Sequence, residues 1–293
     1  MKRLRVMIAG VVLLTAMPTL VAAAGAGPRA VRQKVESSML VRGNLQIGKN
    51  GSVAGLDFHR EDKLPAGVVA LVRDAVKHWR FEPVRVEGQV VDAIAPMSLR
   101  VVARKAEGDS YEIGLRGVSF DQYDSKDLQN VASIDMKPPR YPEQAFRVGA
   151  SGTVYLVAKV GRDGKVEDAF AEQVNLRVIS SEPEQRRLRD VLARSALAAA
   201  RQWTFRVPSE GETASQPFWS VRIPVNYSLE SQPVGPRQDD YGRWISYVPG
   251  PRERAPWRDD RQEQGFSPDT LDEGGVYMAD SKGPRLLTPL QGS

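Results

Sequence analysis

The strongest constraint on the fold is an alternating run of side chains that ends in a tight turn. Within residues 153–160 every second side chain is apolar, which gives a strand with one apolar face: Val154, Leu156, Ala158 and Val160. Asp163-Gly164 follows at once, and Asp-Gly is a strong signal for a hairpin turn. The sequence therefore predicts a β-hairpin whose return strand runs through residues 166–174.

A helix and one more strand follow this hairpin. Ser181-Glu182-Pro183-Glu184 has the spacing of a capping box, and proline in the first helical turn loses no hydrogen bond. The next apolar residues recur at three- and four-residue steps, as on one face of a helix: Leu188, Val191, Leu192, Ala199 and Trp203. Residues 219–227 then alternate again. The order hairpin, helix, strand predicts one helix covering one face of a small antiparallel sheet.

Five short motifs stand in a fixed order along residues 141–227: Tyr141-Pro142-x-x-Ala145, Gly152-x-Val154, Asp163-Gly164-x-Val166, Arg201-x-Trp203-x-Phe205 and Val221-x-Ile223-Pro224-Val225. Together they resemble the C-terminal domain of the TonB family. Each motif alone has little meaning, whereas the ordered set is specific. The resemblance implies an α+β fold for this segment and a role in binding other proteins.

Residues 38–104 repeat the same pattern in reduced form. Asn50-Gly51 is a second hairpin signal, and a helical stripe ends at Trp79-Arg80-Phe81 as the later one ends at Trp203-Thr204-Phe205. We therefore expect two small TonB-C-like domains, each an antiparallel sheet of about three strands under one helix. They are a degenerate domain at 38–104 and a TonB C-terminal-like domain at 133–231.

The N-terminus is interpreted as an export signal. Residues 1–24 combine a basic start, an apolar stretch and three alanines at 22–24, which is the layout of a secretory signal peptide. The alternative is an uncleaved membrane anchor over residues 6–24, since about 20 apolar residues can span a bilayer. The first interpretation predicts a periplasmic protein, and the second an inner-membrane protein that faces the periplasm.

The remaining segments are expected to be linkers and a tail. Residues 25–37 and 105–132 are assigned as linkers, the second with an extra strand within 111–120. Residues 232–293 are rich in Pro, Gly and charged side chains, a composition typical of disorder. The tail also contains aromatic residues: Tyr241, Trp244, Tyr247 and Trp257. We interpret them as one or two rings that dock back on the folded domain, and a short linear recognition segment is the alternative.

Composition argues against several classes of function. The chain has no cysteine, which excludes disulfides, thiol catalysis and zinc–cysteine sites together. No basic stripe remains once the predicted signal peptide is removed, so nucleic acid is not an expected partner. His59 and His78 lie on different predicted elements, and no hydrolase, phosphate-loop or metalloprotease motif occurs. We expect no cofactor, no metal and no enzymatic activity.

A partner peptide is expected instead at the edge of the second sheet. Pro224 has no N–H to donate, so the strand over 219–227 belongs on an edge, and an edge can accept an extended peptide through main-chain hydrogen bonds. The resemblance implies the same, because TonB domains grip a short extended segment of outer-membrane receptors by strand addition. Carried over by position, the candidate peptide-binding residues are Pro139, Arg140 and Tyr141, and Ser220, Arg222 and Asn226 on the outward face of the last strand. Alternatively, these are ordinary solvated residues.

Three roles remain open at this stage. The first is an exported protein whose second domain captures an extended segment of an envelope partner, such as an outer-membrane receptor, in a transport-related role. The second is an energy transducer for TonB-dependent outer-membrane transport, anchored through residues 6–24. The third is a periplasmic scaffold or homodimer. The first role requires the strand at 219–227 to have an edge that another backbone can reach.

Overall fold

The computed structural model of the chain describes residues 35–106, 110–229, 241–258, 265–280 and 283–290. The predicted signal peptide at 1–24 lies outside these residues. Within them, none of the helices is long and apolar enough to cross a bilayer. The described residues form two main sheets, each covered by its own helix, and two separate two-stranded ribbons, so the α+β class is confirmed.

The first sheet is built around its first strand. β1 pairs with β5 along its length, with β2 at its C-terminal half, and β6 pairs with the other side of β5. Helix α1 covers one face and buries Val68, Val72, Ala75 and Val76. The extra strand expected within 111–120 is β6. The elements are β1 (Glu36–Ile47), β2 (Val53–Phe58), α1 (Ala66–Lys77), β3 (Arg85–Val86), β4 (Gln89–Val90), β5 (Ala93–Lys105) and β6 (Tyr111–Ser119).

The second sheet follows the predicted order of hairpin, helix and strand. β8 lies between β9 and β11, and α3 packs across them. Helix α3 begins at Glu182, as the capping-box spacing predicts, although the Ser181 side chain makes no capping hydrogen bond. The elements are β7 (Ala132–Asp135), α2 (Glu143–Arg147), β8 (Gly152–Gly161), β9 (Val166–Leu176), α3 (Glu182–Ala200), β10 (Thr204–Arg206) and β11 (Phe218–Tyr227).

Each domain contains the same backbone contact between its helix end and its hairpin turn, and this contact explains the repeated motif. The Phe81 N–H donates to the Gly51 carbonyl at 2.8 Å, and the Phe205 N–H donates to the Gly164 carbonyl at 2.8 Å. Both glycines have a positive φ, +75° and +76°, and a Cβ on either would lie within 2.2 Å of the phenylalanine carbonyl oxygen. The chain after each helix therefore crosses directly over the hairpin turn. Only glycine permits that approach.

The tryptophan that ends each helical stripe belongs to the core. Trp79 is fully buried and Trp203 nearly so, which agrees with the sequence-based interpretation. Trp203 Nε1 donates to the Lys137 carbonyl at 2.8 Å. Trp79 instead meets two phenylalanine rings edge-on, Phe81 and Phe120, at centroid distances of 6.4 and 6.2 Å.

Much of the C-terminal segment is folded, contrary to the disorder expected for 232–293. β12 (Ile245–Tyr247) extends the first sheet by pairing with β1, and β13 (Tyr277–Met278) pairs with β11. A 3₁₀ turn, Pro268–Thr270, contacts β5, β6 and β11 and so lies between the two sheets. The segment orders without a core of its own because it uses strand edges and faces that the two domains supply.

Three of the four tail aromatics dock on the domains, whereas the favoured interpretation predicts one or two. Tyr247 is buried beside β1, and the Tyr241 hydroxyl hydrogen-bonds to the backbone of Arg42. Trp257 Nε1 donates to Ser220 Oγ at 3.2 Å. Trp244 remains more exposed, with 37% of its surface accessible. The layers are thus helix, sheet, tail, sheet, helix.

The crossing over the hairpin turns predicts two sensitive glycines. Gly51→Ala and Gly164→Ala should each lower the free energy of unfolding by more than about 2 kcal/mol, because the new Cβ adds a steric clash to a left-handed backbone. Gly88→Ala is the matched control, since Gly88 has a φ of +80° but open space around it. Its cost should be about 1 kcal/mol. Equal losses in urea unfolding would contradict the crossing.

Candidate functional site

Strand β11 is fully paired on one side and only partly paired on the other. It pairs with β8 from Phe218 to Tyr227. On the other side, the Ser220 carbonyl accepts the Ala279 N–H at 2.8 Å. Backbone groups of alternate residues point the same way in a strand, so Pro224 also faces this outer side. Its missing N–H therefore costs no bond to β8. The sequence predicts an edge strand, whereas in the structure β11 lies between β8 and the short strand β13.

The outer edge of β11 is partly occupied by the tail. Val221 is paired with Met278 and Arg222 with Tyr277 in an antiparallel register. The same register would put Gly275 opposite Pro224, which has no N–H to offer. Within the described residues, no strand pairs with this side of β11 beyond Arg222. The first half of the edge thus carries an extended backbone, and the ladder ends where the proline removes a donor.

The side chains of β13 alternate between two environments. Val276 is buried in the apolar core of the second domain, and Met278 packs against that core. Tyr277 points the other way and lies 6.3 Å from the ring of Tyr123. Its hydroxyl donates to the Asp272 carbonyl, and burial followed by the negative charge of Asp272 raises the pKa of the Tyr277 phenol. Tyr277 therefore stays protonated and can keep this hydrogen bond at neutral pH.

A buried ion cluster lies beneath the tail. The Glu172 carboxylate is 1% exposed and accepts from Arg222 Nε at 2.8 Å and from Arg252 Nη2 at 2.7 Å. The Phe266 ring lies 4.5 Å from the Arg222 guanidinium carbon and 5.3 Å from that of Arg252. One carboxylate on β9 thus joins the edge strand to the tail.

The structure corrects the predicted outward face of β11. Ser220 and Arg222 are each only 4% exposed, so they are not solvated residues. Ser220 accepts from Trp257, Arg222 is in the ion cluster, and Asn226 Nδ2 donates to Glu273 Oε2 at 2.8 Å. All three face the tail. The alternation of β11 predicts which face they share, but not that another segment covers it.

The other three candidate residues lie near the C-terminal end of β11. The Tyr141 hydroxyl donates to the Ala150 carbonyl, and its ring packs edge-on against Tyr227 at 5.6 Å. Burial raises the pKa of both phenols, that of Tyr227 to about 12. Arg140 is exposed while its carbonyl accepts from Ser195 Oγ, and Pro139 is half-buried. The structure thus brings Tyr141 to the end of β11. It leaves Pro139, Arg140 and Tyr141 apart from Ser220 and Arg222.

Sequence reasoning missed two groups of residues at this site. Phe146, whose ring lies 6.2 Å from that of Tyr141, and Val148 are both more than half exposed. Glu172, Arg252 and Tyr277 hold the tail against the edge. A glycine pair before Val276-Tyr277-Met278 is a strand signal, but a run this short is hard to distinguish from loop. Charged residues on separate segments give no signal at all until their elements meet.

Comparison with known proteins supports the family resemblance. Residues 137–229 match the family model described as Gram-negative bacterial TonB protein C-terminal. The TonB resemblance is confirmed. This TonB C-terminal match contains β8, β9, α3 and β11, and it leaves the first domain and the whole tail outside.

The curated relatives match over a limited length. Proteins named Protein TonB from Xanthomonas campestris pv. campestris, strains B100 and ATCC 33913, are each 36% identical to the chain over 101 residues. The match covers 34% of this chain and 39% of each relative, so the chain spans about two fifths of their length. The search of solved structures gave no significant match.

The ion cluster predicts a large stability effect at one carboxylate. Glu172→Gln should lower the free energy of unfolding by about 3–5 kcal/mol, because it leaves two arginines without their buried counter-charge. Glu143→Gln is the control, since Glu143 forms an exposed pair with Arg147. Its cost should stay below about 1 kcal/mol. Thermal or urea unfolding of the two variants measures the difference, and similar small losses would contradict the buried cluster.

Proposed function

We propose that the chain is an exported, non-enzymatic TonB-like protein with a transport-related role in the cell envelope. In this proposal the second domain binds an extended segment of a protein partner, of the outer-membrane receptor type, by strand addition to β11. The family match supports the TonB-type role, and the relatives are named Protein TonB. No nucleic acid or cofactor takes part in this mechanism.

One observation carries the proposal. The outer edge of β11 already holds an extended segment as an added antiparallel strand, with Val221 paired to Met278 and Arg222 to Tyr277. A strand edge that binds one extended segment has the backbone donors and acceptors to bind another segment whose side chains fit. The region around Asn226, beyond the end of this short ladder, offers further backbone groups.

Backbone capture can be tested with a matched pair of variants. Synthetic peptides copied from extended segments of outer-membrane receptors are titrated against the isotope-labelled full chain, and amide shifts should concentrate on β11 and β8. Asn226→Pro should weaken binding by about two- to tenfold, because it removes one edge-facing N–H worth about 0.5–1.5 kcal/mol. Asn226→Ala loses the same contact to Glu273 but keeps the N–H, so it should bind more tightly than Asn226→Pro. Shifts scattered away from β11, or equal loss in both variants, would contradict strand addition.

Cleavage of the N-terminal segment separates the exported form from the membrane-anchored transducer. The basic start, Pro18 and the alanines at 22–24 favour removal of residues 1–24. The mass of the mature protein, isolated from fractionated cells, should therefore correspond to a start near Gly25 in the periplasmic fraction. An intact Met1 in the membrane fraction would instead support the transducer.

A further inference from the structure

We propose that residues 275–279 of the tail are an internal ligand of the β11 edge, and that the partner which binds there is an extended segment of similar chemistry that displaces them. The inference rests on the proposed strand addition at β11. It adds what kind of segment the edge accepts and what must leave before binding.

The internal ligand shows which side chains the edge accepts. Val276 is 2% exposed in the core of the second domain, and Met278 packs against the same core two residues later. Between them, the Tyr277 side chain points away from this core. Gly274, with a φ of +78°, turns the chain into this strand. A competing segment therefore needs two aliphatic side chains spaced by one residue.

Two arginines define the next position of the segment. The Ala279 carbonyl accepts from Arg222 Nη1 at 3.3 Å and from Arg258 Nη2 at 3.1 Å. Arg258 also pairs with Asp280, although its own side chain is only 6% exposed. Buried guanidinium groups need acceptors, so a partner that takes this place must offer a carbonyl followed by an acidic group. The fitting ligand is an extended peptide that reads aliphatic, any residue, aliphatic, small residue, acid.

The β13 contact is short enough to exchange. Its ladder has two paired residues, whereas β11 and β8 are paired over ten. Short ladders are marginal, and each backbone hydrogen bond contributes only about 0.5–1.5 kcal/mol net. Release of β13 therefore leaves the β8–β11 pairing intact.

Contacts on both sides of β13 keep the released segment close. Before it, the Asp269 carbonyl accepts from Arg100 Nε at 2.9 Å. After it, the Leu287 N–H donates to the Arg80 carbonyl at 2.8 Å. A segment held at both ends competes with a partner at a high effective concentration. The apparent affinity for the partner is therefore the intrinsic affinity multiplied by the fraction of molecules whose edge is open.

A reversible crosslink tests the displacement directly. Because the Ser220–Ala279 bond marks the adjacent hydrogen-bonded pair, Val221 and Met278 form a non-hydrogen-bonded pair, whose Cα atoms are about 4.5 Å apart in such ladders. That distance suits a disulfide, and the chain has no cysteine of its own. The full chain carrying Val221→Cys and Met278→Cys is prepared in an oxidised and a reduced form. Each form is titrated with a fluorescent peptide that copies residues 273–280. The oxidised form should bind at least tenfold more weakly than the reduced form.

The opposite change should open the edge. Ala279→Pro removes the N–H that bonds to Ser220, so the peptide should bind about tenfold more tightly than to the unaltered chain. Ala279→Gly keeps that N–H and should bind as the unaltered chain does. In the unaltered chain, saturating unlabelled peptide should also speed hydrogen exchange of the Ala279 amide.

Each other result overturns a defined part of the proposal. Failure of the disulfide to form, or equal affinity in oxidised and reduced protein with shifts at β11, would show that β13 does not compete. If the Tyr277 amide, paired with Arg222 in the unaltered chain, exchanges freely in Ala279→Pro and the peptide still causes no shifts at β11, strand addition itself fails. Should Ala279→Pro not fold, the crosslink and the exchange of the unaltered chain decide the question.

Discussion

The structure depends on which groups hydrogen-bond to the outer backbone N–H and C=O groups of β11. Unpaired N–H and C=O groups on an edge strand recruit any extended backbone that reaches them. Here Pro224 removes one donor, and the chain's own Tyr277-Met278 segment pairs with the residues before it. The opposite edge of the sheet also pairs with the tail, because Leu176 of β9 exchanges backbone hydrogen bonds with Val248. Both edges of the second sheet therefore meet the tail, which binds the molecule together without a core of its own.

Buried charge gives these contacts their specificity. Backbone pairing alone would accept the tail in several registers, since two-residue ladders carry little sequence information. Glu172 beneath Arg222 and Arg252, and Asp269 beside Arg100, each place a carboxylate against guanidinium groups in a nearly dry setting. A shifted register would leave one of these charges buried without its partner, at a cost of several kcal/mol. The ion pairs therefore select one register rather than add much net stability.

The sequence predicts what is local and misses what is distant. The Asp163-Gly164 turn, the start of α3 and the tryptophan at each helix end follow from periodicity and turn chemistry within one segment. The cover on Ser220 and Arg222 does not, because it comes from Trp257 and Ala279, which are 37 and 57 positions away in a segment with no period of its own. An alternating strand identifies two faces, and it cannot say whether the second face meets water or another part of the chain. The sequence therefore predicts the face that Ser220, Arg222 and Asn226 share, but not the segment that covers it.

The duplicated fold explains why a tail is needed at all. A sheet covered by one helix leaves its second face with too little apolar surface to bury alone, and both domains have this arrangement. Their second faces carry arginine, serine and tyrosine, such as Arg100 on β5 and Tyr155 on β8, which cannot pack directly on each other without acceptors. The segment around Asp269 supplies them: its carbonyl accepts from Arg100, and its carboxylate lies 3.9 Å from Arg100 Nε. The tail therefore acts as a polar layer between two sheets, and a strand that leaves β11 detaches only one margin of that layer.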